Sequence, residues 1–202
     1  MSNGTEPKNI GWGTGAQTSS ANSDVNLFNP GSEARTSGGS TQTTTSYLAD
    51  TYLVTGSITA AGAKTITEAA LFDSSASSPT TTLAATVTSA AQTAFSLGAA
   101  TGPTTGNYYA QIANEVVLVT GGQNTTSITV VRGRLGSTAA ASYAVGAIFT
   151  PGGDGGAKAF GGVGEQTSTT VVGGSMFAHS DFAGVAVALN DSINFSFKGQ
   201  FA

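Results

Sequence analysis

The chain has no cysteine, one histidine, one tryptophan and few charges. Without cysteine there is no disulfide framework, no thiolate-held zinc and no thiol nucleophile. Charged residues make up 9% of the 202 positions, against about 25% in ordinary soluble domains. Seven Lys and Arg are scattered along a chain of net charge −4. No basic patch is available to neutralise phosphates, so nucleic acid is not an expected partner. No apolar run approaches the roughly 18 residues of a membrane span, so a membrane is not expected either. Met1 to Gly15 lacks a basic segment followed by an apolar one, and we expect no signal peptide and synthesis in a cytoplasm.

So few charges leave the surface to Thr, Ser, Asn, Gln and Gly. Charged surfaces suppress association, whereas a neutral polar surface suits a subunit that ends up packed against others. The plainer alternative is a secreted protein with a neutral coat. Cohesion without disulfides has to come from core packing, backbone ladders and oligomerisation.

No segment carries a sustained helical period, and the 28 glycines, with Thr and Ser, disfavour helix interiors. Short alternating runs separated by Gly, Asn, Asp and Ser are the pattern of an all-β sandwich or barrel, and an antiparallel β-sandwich of jelly-roll-like type is the expected form. The expected strands are 50–59, 65–72, 82–88, 93–97, 112–120, 127–132, 143–149, 185–189 and 192–197. Gly62 suggests a hairpin between the first two, and Asn190-Asp191 a turn between the last two. In the final strand Ile193, Phe195 and Phe197 fall on one face and Asn194, Ser196 and Lys198 on the other.

Residues 1–45 are rich in Ser, Thr and Gly, with isolated apolar anchors at Ile10, Trp12, Leu27 and Phe28. They read as an extended N-terminal arm whose four anchors seat on a neighbouring subunit, because such a segment alone buries too little surface to offset its ordering entropy. The stretch 151–164, PGGDGGAKAFGGVG, reads as a linker or a second arm.

Chemistry-bearing constellations are sparse. His179, among Phe177, Ser180 and Asp181, reads as a structural hydrogen-bonding residue rather than a catalyst. Carboxylates are few and dispersed, giving a paired-carboxylate site nothing to rest on. The segment Gly11 to Gly15, GWGTG, is not a dinucleotide-binding loop, and Gly133 to Thr138, GRLGST, lacks the lysine of a phosphate loop. The Asn-x-Ser/Thr triplets at Asn3, Asn124, Asn190 and Asn194 follow from composition. No cofactor, no metal and no enzymatic activity are expected.

Two ion pairs are expected instead. A hairpin centred on Gln123-Asn124 places Glu115 opposite Arg132, Val117 opposite Val130 and Val119 opposite Ile128, with Val116, Leu118 and Val131 making the second face apolar too. Glu68 shares a strand face with Ile66, Ala70 and Phe72 and needs a partner there, for which Arg35 is the candidate.

The segments Pro7–Gly15, Glu33–Thr36, Thr51–Thr59, Ile66–Asp73 and Met176–Phe201 resemble small β-rich virion proteins of tailed bacteriophages. Asn114–Phe149 resembles a recurrent β-hairpin motif of phage structural proteins, departing from it at Tyr143, where a His is common. The resemblance implies a sandwich core of residues 46–73 plus 176–202, with 74–175 as an inserted β region. It also implies a structural role in a phage particle. The leading form is a capsid decoration (cement) protein that holds the major capsid protein at the capsid surface and associates with copies of itself, as a trimer. The alternative is a tail, baseplate or fibre component, including a receptor-binding one.

Overall fold

The structure, a computed structural model, describes residues 6–15, 21, 23–77, 79–152, 166–168 and 173–200. Beyond Gly152 the Gly-rich linker lies outside the described residues. All regular elements among the described residues are strands, and every pairing between them is antiparallel.

Two sheets face each other across one core. The first runs β12 (Met176–Val187), β5 (Lys64–Phe72), β1 (Asn9–Gly13), β2 (Thr36–Ser37), and the second β13 (Ser192–Gln200), β4 (Thr51–Thr59), β3 (Gly39–Thr43). Alternation along the strands fills the space between them. Ile10 and Trp12 from β1, Ile66 from β5, and Val54 and Ile58 from β4 are buried, and Ile193, Phe195 and Phe197 of β13 pack against them, half-buried. Trp12 and Phe195 meet edge to face at 6.1 Å between ring centroids.

The expected 62-turn hairpin is not one. β4 pairs with β13, and β5 pairs with β12, so each short connection carries the chain from one sheet to the other. The two connections lie against each other: Ala60 N donates to Asp191 O at 2.8 Å, and Asn190 N donates to Ala60 O at 2.9 Å. The alternating pattern specified which face of each strand is apolar; it carried no information about which strand lies alongside.

The described residues of the expected arm, 6–15, 21 and 23–45, are not free of the body. They supply β1, β2 and β3, and β1 is an interior strand between β5 and β2. Ile10, Trp12, Leu27 and Phe28, expected to seat on a neighbour, are 0%, 2%, 1% and 5% exposed within their own chain. The cause lies in GWGTG. With Ile10 and Trp12 on the core face, the glycines make the opposite face of β1 flat enough for a loop to lie on it. A Cβ at Gly13 would collide with the Glu68 carboxylate and stand 2.6 Å from the Asn29 carbonyl oxygen.

Residues 81–151 form a third sheet in the order β6 (Thr81–Thr82), β11 (Ile148–Pro151), β8 (Tyr108–Ile112), β9 (Glu115–Gly121), β10 (Ser127–Val131), β7 (Ala94–Ser96). It curls until its margins meet at a Leu83–Leu97 bridge, with Gly98 N donating to Thr82 O and Ala84 N to Ser96 O, both at 2.8 Å. Phe95, Tyr108, Ile112, Val117, Val119, Ile128, Val130 and Phe149 fill its interior. The expected strand 112–120 begins at Glu115, and β8, which alternation did not reveal, ends at Ile112 before a turn at Ala113, whose φ is 47°. Residues 82–88 and 143–149 are mostly irregular and touch through a Val87–Tyr143 bridge.

The β9–β10 register is displaced from the expected one, with Val119 opposite Val130 and an irregularity between Thr129 and Val130. The displacement keeps the parity, so Val117, Val119, Ile128 and Val130 still share the interior face. On the outer face Val116 and Leu118 are covered by Val25, Tyr109 and Leu135, while Val131 stays 40% exposed.

Ile10 decides between an arm and an interior strand. Ile10→Ala is expected to lower the free energy of unfolding by about 2–5 kcal/mol, the cost of a cavity at a fully buried aliphatic site. Urea denaturation measures it; an arm residue would change the midpoint negligibly.

Candidate functional site

The loop 23–29 lies between the two-sheet body and the curled sheet. On one side Val25 N donates to Gln111 Oε1 at 3.1 Å and Asn26 Nδ2 to Pro151 O at 2.9 Å. On the other, the loop closes over Glu68. That carboxylate is fully buried and accepts from Gly15 N (3.0 Å), Asn29 N (2.9 Å) and Phe28 N (2.9 Å), with His179 Nε2 at 3.1 Å. His179 Nδ1 lies 2.9 Å from Asp24 Oδ2, and Phe28 packs on the imidazole edge to face.

Burial works against the charge on His179. The hydrogen bonds to Asp24 and Glu68, and then their charges, outweigh it and raise the pKa from its ordinary 6.5 to about 9. The imidazolium is therefore a clasp between the loop, through Asp24, and β5, through Glu68. Asp181, one oxygen 3.5 Å from Nε2, has its pKa raised by burial and by the charges of Glu68 and Asp24, against the pull of His179. Glu68, His179 and Asp181 hold donor atoms within 4.8 Å of one another. An ion there would have to displace bonds that already occupy both oxygens of Glu68 and both nitrogens of His179. The arrangement is suited to holding a loop.

The expected Glu68–Arg35 pair does not form. The Arg35 guanidinium lies over the Phe72 ring, 3.2 Å from its centroid, and donates to the carbonyls of Ser74 and Gly173. Phe72 is four residues along β5 from Glu68, about 13 Å at strand rise, and Glu68 is saturated by the loop amides and His179. Burial, partly offset by Asp73, lowers the Arg35 pKa to about 10.

Glu115 and Arg132 do pair, through Nε at 2.6 Å and Nη2 at 2.7 Å, with both side chains almost fully buried. The register displacement leaves them diagonal rather than opposite, and the length of Arg spans the gap. Glu115 also accepts from Gly133 N and Ala140 N, each at 3.0 Å, and Arg132 donates to the carbonyls of Ser89, Gln92 and Ala140. Tyr143 places its hydroxyl 2.9 Å from the Glu115 carboxylate. Burial opposes ionisation of Glu115, yet Arg132, the two amides and Tyr143 lower its pKa overall. Two loops of the curled sheet are thus fastened to one carboxylate.

A third carboxylate holds something exposed. Asp50 accepts from Thr45 N (2.8 Å), Ser46 N (2.8 Å), Tyr47 N (2.9 Å) and Thr51 Oγ1 (3.0 Å), with Gln200 Nε2 at 3.1 Å from the end of β13. The Tyr47 amide, ahead of Thr45 and Ser46, lowers its pKa despite desolvation. The braced loop presents Tyr47 at 71% and Leu48 at 90% exposure. Next to it is a cleft of about 270 Å³ lined by Glu6, Pro7, Gln42, Ala49, Tyr52 and Phe177, the last 55% exposed. Sequence reasoning missed this tip. Its signal was SYLAD: two bulky apolar residues inside a turn whose Asp can collect the preceding amides.

Two outcomes test these braces. His179 binds its proton more tightly folded than unfolded, so its stabilisation is complete below about pH 6.5 and is lost as pH rises through about 9. Melting temperature should fall between pH 7 and 10, by the equivalent of ~3 kcal/mol, and His179→Gln should flatten that slope. A double-mutant cycle on Glu115→Gln and Arg132→Met should give a coupling above the ~1 kcal/mol ceiling of exposed pairs; urea melts read it.

Compared with protein-family models, curated proteins and solved structures, the chain matches none.

Proposed function

We propose that this chain is a structural protein of a bacteriophage particle, a capsid decoration protein that binds the major capsid protein at the capsid surface. The observation that carries the reading is the Asp50-braced tip. Tyr47 and Leu48 stand out together at 71% and 90% exposure, an apolar tip that a partner can cover, and five hydrogen bonds fix the turn that presents it. Holding the tip rigid also removes the entropy that a mobile loop would lose on binding.

The surface supports the same reading. The outer face of β4 and β13 offers Thr55, Ser57 and Thr59 beside Ser196, Asn194 and Ser192, with Lys198 its only charge on β13. Such a neutral polar face packs against a neighbour without burying unpaired charge. A jelly-roll-like sandwich is the architecture this reading implies for the two-sheet body, and the resemblance of Pro7–Gly15 and Met176–Phe201 to phage virion proteins points the same way.

The test uses undecorated capsids and the variant Tyr47→Ser/Leu48→Ser. Covering a Leu is worth ~1.5–3 kcal/mol, so the variant should bind shells at least about tenfold more weakly with its melting temperature unchanged. Imaging of particles should count hundreds of copies on the shell. About a dozen copies at the tail would move the protein to a tail or baseplate role, and absence from the particle would end the proposal.

A further inference from the structure

The margins of the sheets differ in how open they are to another strand. The curled sheet closes on itself at the Leu83–Leu97 bridge. In the four-stranded sheet one margin, β2, is two residues long. The other, β12, is broken by register shifts between Met176 and Ala178 and between Asp181 and Val185, which twist an edge away from further pairing. In the three-stranded sheet β3 is five polar residues, GSTQT. β13 stands apart. Its nine residues pair with β4 from Ser192 to Gln200 without a shift, and among the described residues no strand pairs with its outer side. It has neither proline nor bulge, and Lys198 is its one charge.

The core is also open on that side. Val54 and Ile58 on the neighbouring β4 are 0% and 3% exposed, whereas Ile193, Phe195 and Phe197 on β13 are only half-buried. Another strand alongside β13 would complete both the ladder and the apolar layer.

The geometry points to a second copy of this chain as that strand, with β13 pairing antiparallel with the β13 of another molecule about a two-fold axis at Phe195. The occupant is argued from the strand itself. Both copies present the same alternation, so a two-fold axis normal to the sheet keeps apolar faces on one side, as the paired pleat requires. Centring on Phe195 sets Ile193 opposite Phe197, Asn194 opposite Ser196 and Ser192 opposite Lys198. The strand's one cation falls opposite a serine hydroxyl at each end of the ladder, and like charges do not meet. The result is a two-fold pair joining two sheets into one of six strands, in place of the three-fold assembly expected from the resemblance. It goes beyond the capsid reading and does not depend on it.

The experiment is sedimentation of the full chain in solution, free of particles, over a range from about 1 μM to about 1 mM, where weak complexes form. The wild type should show a monomer–dimer equilibrium. Asn194→Lys/Ser196→Lys puts lysines opposite lysines and should weaken it by about tenfold or more, as should Asn194→Glu/Ser196→Glu. Mixing these two variants should restore a dimer. The same lysines on the neighbouring central strand, Thr55→Lys/Ser57→Lys, lie on the same outer face away from the edge and should leave dimerisation intact. Both pairs of positions are exposed, and circular dichroism melts check that each variant folds. A wild type that stays monomeric at the highest concentration overturns the inference. So does a trimer, a lysine variant that still dimerises, or a mixture that does not reassociate. None of these outcomes bears on whether the tip binds a capsid.

Discussion

Glu68 is a carboxylate with no access to water, set in the middle of an interior strand. A buried carboxylate is tolerable only if its acceptor sites are filled. Here they are filled from three directions: the end of β1 through Gly15, the loop 23–29 through Phe28 and Asn29, and β12 through His179. The remaining structure follows from meeting that demand. The loop must lie flat on β1, which is why that strand's outer face is glycine. Once there, it carries Val25 and Asn26 to the curled sheet, so the same loop joins the two parts of the molecule.

The pattern repeats at smaller scale. Glu115 gathers two loops of the curled sheet through Arg132, two amides and Tyr143. Glu33 joins Trp12, the Ala61 amide and Lys64, and its pKa falls to about 2 because these donors outweigh burial. Asp50 gathers the turn that displays Tyr47 and Leu48. In a chain with so few charges, several carboxylates act as internal fasteners for irregular segments, and the outside is left to hydroxyls and amides. This division serves a protein that lacks disulfides and has long loops, and it produces the neutral exterior on which the proposed role in assembly rests.

The most exposed apolar tip and the most open strand edge both belong to the three-stranded sheet, and Gln200, at the end of β13, reaches the Asp50 loop. The four-stranded sheet, by contrast, is tied to the loop and the curled sheet and has blunted margins. One side of the molecule is thus built for internal cohesion and the other is left with unmet contacts.

What the sequence determined by itself was mostly local. Period-two alternation identified β4 and β5 to within one residue at each end, and β13 from its first residue but three residues short of its last, and placed Ile193, Phe195 and Phe197 on one face. Parity put Glu115 and Arg132 within reach despite a displaced register. Composition excluded helices and disulfide scaffolding. Only the tertiary structure decided that Ile10 and Trp12 lie in the chain's own core, because glycine depresses strand propensity and hides β1 in a stretch that reads as linker. It alone gave Glu68 to His179, 111 residues away, rather than to Arg35. It also sent β4 and β5 to different sheets. Alternation encodes which face of a strand is apolar, whereas the neighbour it lies beside is chosen by long-range packing and by the need to satisfy every buried donor and acceptor, and neither leaves a local mark.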